Sequence, residues 1–377
     1  MSQDVASLLQ QLIRIPSVNP DNAPGTEQMG EESLAIFLAG WLESIGAEVV
    51  LEEIKPGRPN LIARFAPLDG RPRILLGPHL DTVGVGGMTI NPFSGDLRDG
   101  RIWGRGASDT KGPMAAMLWA LHEQQALLEN LPVAVDFVAF MGEESGQWGS
   151  KDFVKRHGAS YSFALVGEPT SMQVVHVTKG SLWATLRATG KAAHSSQPER
   201  GENAILKLAR SLDQLDHHLC GKLTSFTHPV LGHSTMNVGM IRGGARPNIV
   251  PDRAEAEIDI RITPALSAAG GALKLLGEMI AFHDLPVEIV HPHENPPMET
   301  AENHPMVQAL LATDPATGLA GAPWFSDAAH LSNGGIPSIC IGPGSIDQAH
   351  TVDEFIEVSE LVHGAEFFSR FVASLAQ

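Results

Sequence analysis

Hydrophobic positions along this chain recur with two periods, and the period changes mark the elements. Val5, Leu8, Leu9, Leu12 and Ile13 fall at three- and four-residue spacing until Ile15-Pro16 stops the pattern, which predicts a short helix docked on a core. Leu34, Ile36, Phe37, Leu38 and Trp41 predict a second helix over 28–42, closed by Gly46 before a strand over 48–52. Arg73 to Gly77 is a brief apolar run ended by Gly-Pro, and Val133 to Phe140 is another; both read as buried strands. Between them, Met114, Met117, Leu118, Leu121 and Leu128 fall on one face of a helix over 114–128. Strand, helix and strand at this distance imply a crossover in a largely parallel or mixed sheet, to which Phe163–Val166 and Ser338–Ile341 add two core strands.

The middle of the chain has a different texture. Ser181 to Ala188 and Ala254 to Ile262 alternate apolar and polar residues, as strands with one wet face do, and helices fit 203–215 and 268–282. The fold class expected is therefore α/β. A mixed-sheet catalytic domain with helices on both faces, discontinuous over 1–178 and 293–377, is interrupted by an α+β domain over 179–292. The chain carries no internal repeat or low-complexity segment.

Length and composition agree with two domains, since 377 residues at 43% hydrophobic content exceed what one core usually holds. The 43 acids against 26 bases give a formal charge of −17, which argues against nucleic acid or an anionic membrane as partner and favours neutral or cationic small substrates. Only Cys220 and Cys340 are present, far apart, so neither a disulfide framework nor a thiolate zinc site is expected and a reducing compartment, the cytoplasm, is. The first residues lack a charged segment followed by an apolar core, and no apolar stretch approaches the roughly 20 residues of a membrane span.

The candidate chemistry lies just past the apolar runs. His79-Leu80-Asp81 follows the first buried strand, Glu143-Glu144 the second and Glu168 the third, while His350 lies beyond the last; Asp109 sits in the loop Gly104-Arg105-Gly106-Ala107-Ser108-Asp109 that leads into a helix. Each has an ordinary reading when taken alone: a loop pair, an acid at a helix start, solvated carboxylates, a surface histidine. Together they fall at strand ends, where α/β sheets gather residues distant in sequence. Adjacent carboxylates such as Glu143 and Glu144 repel unless a cation or proton intervenes, and two neighbouring divalent metals sharing a carboxylate, with a free carboxylate beside them to activate water, call for this set. The glycine-rich loop does not suit phosphate, because no GxGxxG follows a strand and Lys111 is outside a GxxxxGK[ST] frame. A nucleophilic serine hydrolase is disfavoured because no GxSxG elbow occurs.

The segments GPHLDTV, NPFSGDLRDGRIWGRGASDTKG, GEESGQWGS, GEPT, GKAAHSSQPERGENAI, RPNIVPD with DIR, and GPGSIDQAHTVDEF run nearly end to end. On them the chain resembles the di-zinc metallopeptidase and amidohydrolase family that contains acetylornithine deacetylase, succinyl-diaminopimelate desuccinylase, aminoacylase and glutamate carboxypeptidase. The resemblance implies that His79, Asp109 and Glu168 serve one metal and Asp109, Glu144 and His350 the other, with Asp81 bracing His79 and Glu143 as general base. It implies two Zn2+ per subunit, with Co2+ or Mn2+ as substitutes. It also implies a cis bond between Asp109 and Thr110, and a His194 on the inserted domain that reaches the partner's site in a homodimer to stabilise the oxyanion. Asn248, Arg261, Ser326 and Gly344 match substrate-facing positions. The chain departs from common family text at Thr110, where methionine often follows the bridging aspartate, and in its short segment from Asp81 to Asn91. The text around His350 is nearest the acetylornithine deacetylase branch, so the expected reaction is hydrolysis of a small N-acyl amino acid by metal-activated water. A dipeptidase or glutamate-type carboxypeptidase with the same chemistry, and a non-catalytic binding relative, are the alternatives.

Overall fold

The computed structural model describes residues 4–21 and 29–376. They form two compact units, one of residues up to 176 with 299–320 and 326–377, the other of 177–298 with 321–325.

The first unit is built on a mixed sheet. Its strands are β1 (Glu48–Lys55), β2 (Arg58–Arg64), β3 (Arg73–Pro78), β4 (Ala134–Ala139), β5 (Phe163–Gly167), β6 (Val174–Thr178, whose last two residues belong to the second unit) and, far along the chain, Ser338–Cys340. In space the order is β1, β2, β4, β3, β5, Ser338–Cys340, β6, and the short strands Met298–Glu299 and Leu319–Ala322 both pair with β6. The centre from β4 to Ser338–Cys340 is parallel, and β1, β2 and β6 add on antiparallel. Every residue of β3, β4 and β5 is buried, so both sheet faces are covered. On one face the core joins α1 (Val5–Ile13), α2 (Glu32–Ser44), α3 (Lys111–Glu123) and the final helix Val358–Ser374. On the other, Phe140 meets Phe153 of α4 (Trp148–His157), whose partner helix is Asp327–Asn333.

Several expectations need correction. Residue 28 of the second helix expected lies outside the described residues; the helix runs Glu32–Ser44 and leaves Ile36 exposed. The helix expected over 114–128 begins at Lys111 and breaks after Glu123, and it is buried nearly all round rather than along one stripe, because it lies between the sheet and the final helix. Strands β2 and β6 had no separate prediction.

The second unit is an antiparallel four-stranded sheet of Thr235–Gly243, Arg253–Ile262, β7 (Gly180–Thr189) and Glu288–Asn295, in that order. Alternation holds where it was read, except that Ser181 is buried beside Leu182: Leu182, Ala184, Leu186 and Ala188 are buried, as are Ala254, Ala256, Ile258, Ile260 and Ile262. They pack under α5 (Ala204–Leu223) and α6 (Ala272–Phe282). Of the second helix expected here, Ala268 ends a separate short helix, Pro264–Ala268, and residues 269–271 form a turn in which Gly270 and Gly271 have positive φ. Among the described residues no helix is long and apolar enough to cross a membrane.

Candidate metal centre

His79 follows directly on β3, and its place is fixed by a bridge to Phe140, just past β4. The buried ring presents Nδ1 to the main-chain carbonyl of Asp81 at 2.9 Å, which leaves Nε2 facing Asp109 Oδ1 at 3.1 Å. The Asp81 carboxylate stands 3.6 Å from the same Nδ1. Its closer partners are the amide of Asn19 at 2.7 Å and the backbone N–H groups of Glu143 and Glu144, both at 3.0 Å. The bracing expected of Asp81 therefore comes mainly through its backbone, while its carboxylate grips the glutamate turn. Burial alone would raise the Asp81 carboxyl, but the nearby His79 ring and hydrogen bonds from Asn19 and the Glu144 N–H outweigh it and hold the group low.

Asp109 ends the glycine-rich loop one residue before Thr110, the N-cap position of α3. The Asp109–Thr110 peptide bond is cis. Thr110 donates to the carbonyl of Gly167 at the end of β5, tying this loop to the residue before Glu168. Asp109 offers one oxygen to each of two imidazoles, Oδ1 to His79 and Oδ2 to His350 Nε2 at 3.6 Å. His350 adopts φ of 59°, and its Nε2 lies 3.1 Å from Glu144 Oε2. Among the described residues, His79, Asp109 and Glu144 form a group whose ligand atoms all lie within 4.8 Å of one another.

Around this group the acids are crowded out of water. Burial first, then repulsion from Asp109, Asp327 and Glu144, drives Glu168 well above the carboxylate range. Glu143 is also raised well above its usual value, by burial and then by Glu168, Glu144 and Asp327, against the pull of His79. Glu144 is pushed up to about 7 by burial and Asp109. The imidazoles move with them: burial would lower His79, but Asp109 and Asp81 lift it well above its usual value, and Glu144 lifts His350. Glu168 Oε1 is buried with no hydrogen-bond partner among the described residues. Carboxylates that repel one another, imidazole nitrogens turned onto the same acid, and an oxygen lacking a donor form a donor set suited to divalent cations bound by N and O ligands.

Three contributors went unmarked in the sequence reading. Asn19 orients Asp81 from the loop after α1. Asp327 is fully buried and raised to about 7, with Ser150 donating to one oxygen. Glu354 accepts the backbone N–H of Asp109 at 2.8 Å. Glu354 acts through backbone amides and Asn19 and Asp327 through side-chain partners far along the chain, and local spacing marks neither kind of contact.

The remaining expected residues are placed as follows. Ser326 is buried, caps the helix Asp327–Asn333 and touches Cys340 Sγ at 3.2 Å. Gly344 has φ of 87°, and a Cβ there would stand 2.9 Å from Ser108 Oγ. In the second unit His194 is exposed, 2.7 Å from Ser196 Oγ, and pairs through its backbone with Ile249, beside Asn248, whose carbonyl accepts from Ser195. Arg261 points to Asp259 at 2.8 Å, and the Asp259 carboxylate also accepts from Trp183.

Comparisons with known proteins show the family and the fold. A family model described as peptidase family M20/M25/M40 matches residues 75–374. An acetylornithine deacetylase from Proteus mirabilis is 31% identical over 97% of this chain and 95% of its own length. Among solved structures, an M20 family metallo-carboxypeptidase from Sulfolobus solfataricus covers 99% of both chains with a TM-score of 0.83 at 19% identity. A dinuclear metal-binding peptidase of the M20 family from Bacillus subtilis superimposes over 99% of this chain and 97% of its own at 0.70 and 13%.

Proposed function

The chain belongs to peptidase family M20/M25/M40 and is a hydrolase acting on amide bonds, and from that premise we propose that it removes the acyl group from a small N-acyl amino acid of the N-acetylornithine kind. The observation that carries this reading is Asp109 set between His79 and His350, with Glu143 and Glu144 held beside it by Asp81. Two divalent cations, zinc by preference, would be held by His79, Asp109 and Glu168 and by Asp109, Glu144 and His350. When bound, they supply a Lewis acid for the scissile carbonyl and acidify water.

The residues of the chain do the rest. Glu143 takes a proton from the attacking water as its oxygen joins the acyl carbon, and returns that proton to the leaving nitrogen as the C–N bond breaks. A carboxylate and a free amine result. Asp81 keeps Glu143 and Glu144 in one turn, so that the two carboxylates do separate work.

The second unit would act as lid and dimerisation domain, with His194 donating to the oxyanion in the partner's site and with Asn248 and Arg261 reaching the substrate carboxylate and backbone. Ser326 and Gly344 would shape the substrate side of the first unit. A formal charge of −17 supports a substrate with a cationic side chain, and two free cysteines fit a reducing cytoplasm. Turnover of a panel of N-acetyl, N-succinyl and dipeptide substrates by protein of defined metal content tests the reading. N-acetylornithine should lead the panel; a clear preference for dipeptides would overturn it.

A further inference from the structure

Glu354 makes four short hydrogen bonds. Its Oε1 accepts the backbone N–H groups of Ser108 at 2.7 Å and Asp109 at 2.8 Å. Its Oε2 accepts the Gly106 N–H at 2.8 Å and Arg105 Nη1 at 2.9 Å. Neither residue reaches solvent: Glu354 is 0% exposed and Arg105 3%. The rest of the guanidinium reaches two other loops, with Nη2 on the carbonyl of Thr351, in the His350 loop, at 3.0 Å and Nε on that of Gly84, after Asp81, at 3.2 Å. Outside this knot, strand Phe355–Glu357 pairs with Arg101–Trp103, so the arrangement is anchored on both sides.

We propose that Glu354 and Arg105 are a positioning pair that holds the Asp109 loop against the His350 loop and so sets how well the two metal positions are formed. The inference rests on the metal reading above. Joining two loops could be done by apolar contact without burying a charge. A carboxylate that collects three amides from Gly106, Ser108 and Asp109 does something an apolar contact cannot: it fixes which way those peptide planes face, and hence where the Asp109 carboxylate aims. Arg105 carries that constraint to the residue after His350. Groups behind the ligands commonly change metal affinity about 10- to 100-fold when altered.

Glu354→Gln keeps the shape but replaces one acceptor oxygen by a donor, which faces N–H groups. Metal-free protein is titrated with Co2+, reading the visible spectrum and the dissociation constants against a competing chelator, with the melting temperature of the metal-free protein recorded separately. The wild-type chain should bind two ions; Glu354→Gln should weaken binding about 10- to 100-fold and shift the Co2+ bands. Arg105→Lys, which keeps a charge beside Glu354 but loses the fork to Thr351, should move both readings the same way and less far. Glu354→Gln with wild-type affinity and spectrum overturns the inference whatever its melting temperature. If Glu354→Gln does not fold, Arg105→Lys decides in the same manner. A wild-type chain that binds no Co2+ sinks the metal reading itself, a different failure.

Discussion

Glu143 and Glu144 are neighbours in sequence, yet Glu144 faces His350 while Glu143 is set among Glu168, Asp327 and His79. We expect Glu143→Ala to retain its metal and lose about 10²- to 10⁴-fold in turnover, the usual worth of a general base. Glu144→Ala should lose metal. Elemental analysis beside steady-state kinetics checks both, and equal metal loss in the two variants would defeat the division of labour. At this scale His79 and Glu168 were legible because each directly follows a buried run, β3 and β5, and the carboxyl ends of these two parallel strands lie side by side. Asn19, Asp327 and Glu354 were not, since nothing nearby in sequence tells which backbone or side-chain donor a distant oxygen will take. The hold of Asp81 on the glutamate turn was hidden for the same reason.

Elements with a clean period were readable, and elements with an interruption were not. β7 from Leu182 onward and Arg253–Ile262 alternate buried and wetter positions and pair without a register shift, and both were found. Thr235–Gly243 carries a register shift between Val238 and Met240, and Glu288–Asn295 one between Val290 and His293 around a His-Pro-His run, so neither shows two-residue alternation throughout. The helix α3 hid its role differently, being buried on almost every side. Its close approach to the metal loop makes a test. A Cβ on Gly112 would stand 2.4 Å from the carbonyl oxygen of Ala107, in the loop that carries Asp109. Gly112→Ala should cost about 1–3 kcal/mol, as overpacking does, read from the urea midpoint. An unchanged midpoint would show that the loop yields freely.

For the molecule as a whole, the crowded acids predict how stability follows pH. Glu144 and Asp327 are both raised to about 7 in the folded chain, chiefly by burial, above their ordinary values. The metal-free fold therefore keeps protons that the unfolded chain releases. That stabilisation is complete below about pH 4 and lost as pH rises through about 7. Melting of metal-free protein should fall across this window and zinc should restore it most at the alkaline end; a zinc effect independent of pH would count against the site. The unit of residues 177–298 with 321–325 supports a second test. Mixing His194→Ala with Glu143→Ala chains should regain activity if His194 serves a partner's site, and exchanged dimers with no recovery would show that it does not.

The central claim is that hydrolysis depends on cations held around Asp109. The most direct measurement is release of free amine from N-acetylornithine while zinc is added to metal-free protein. The account predicts no turnover without metal and a rise that levels off once both positions are filled. Full activity in a chain shown by elemental analysis to hold no metal would contradict it.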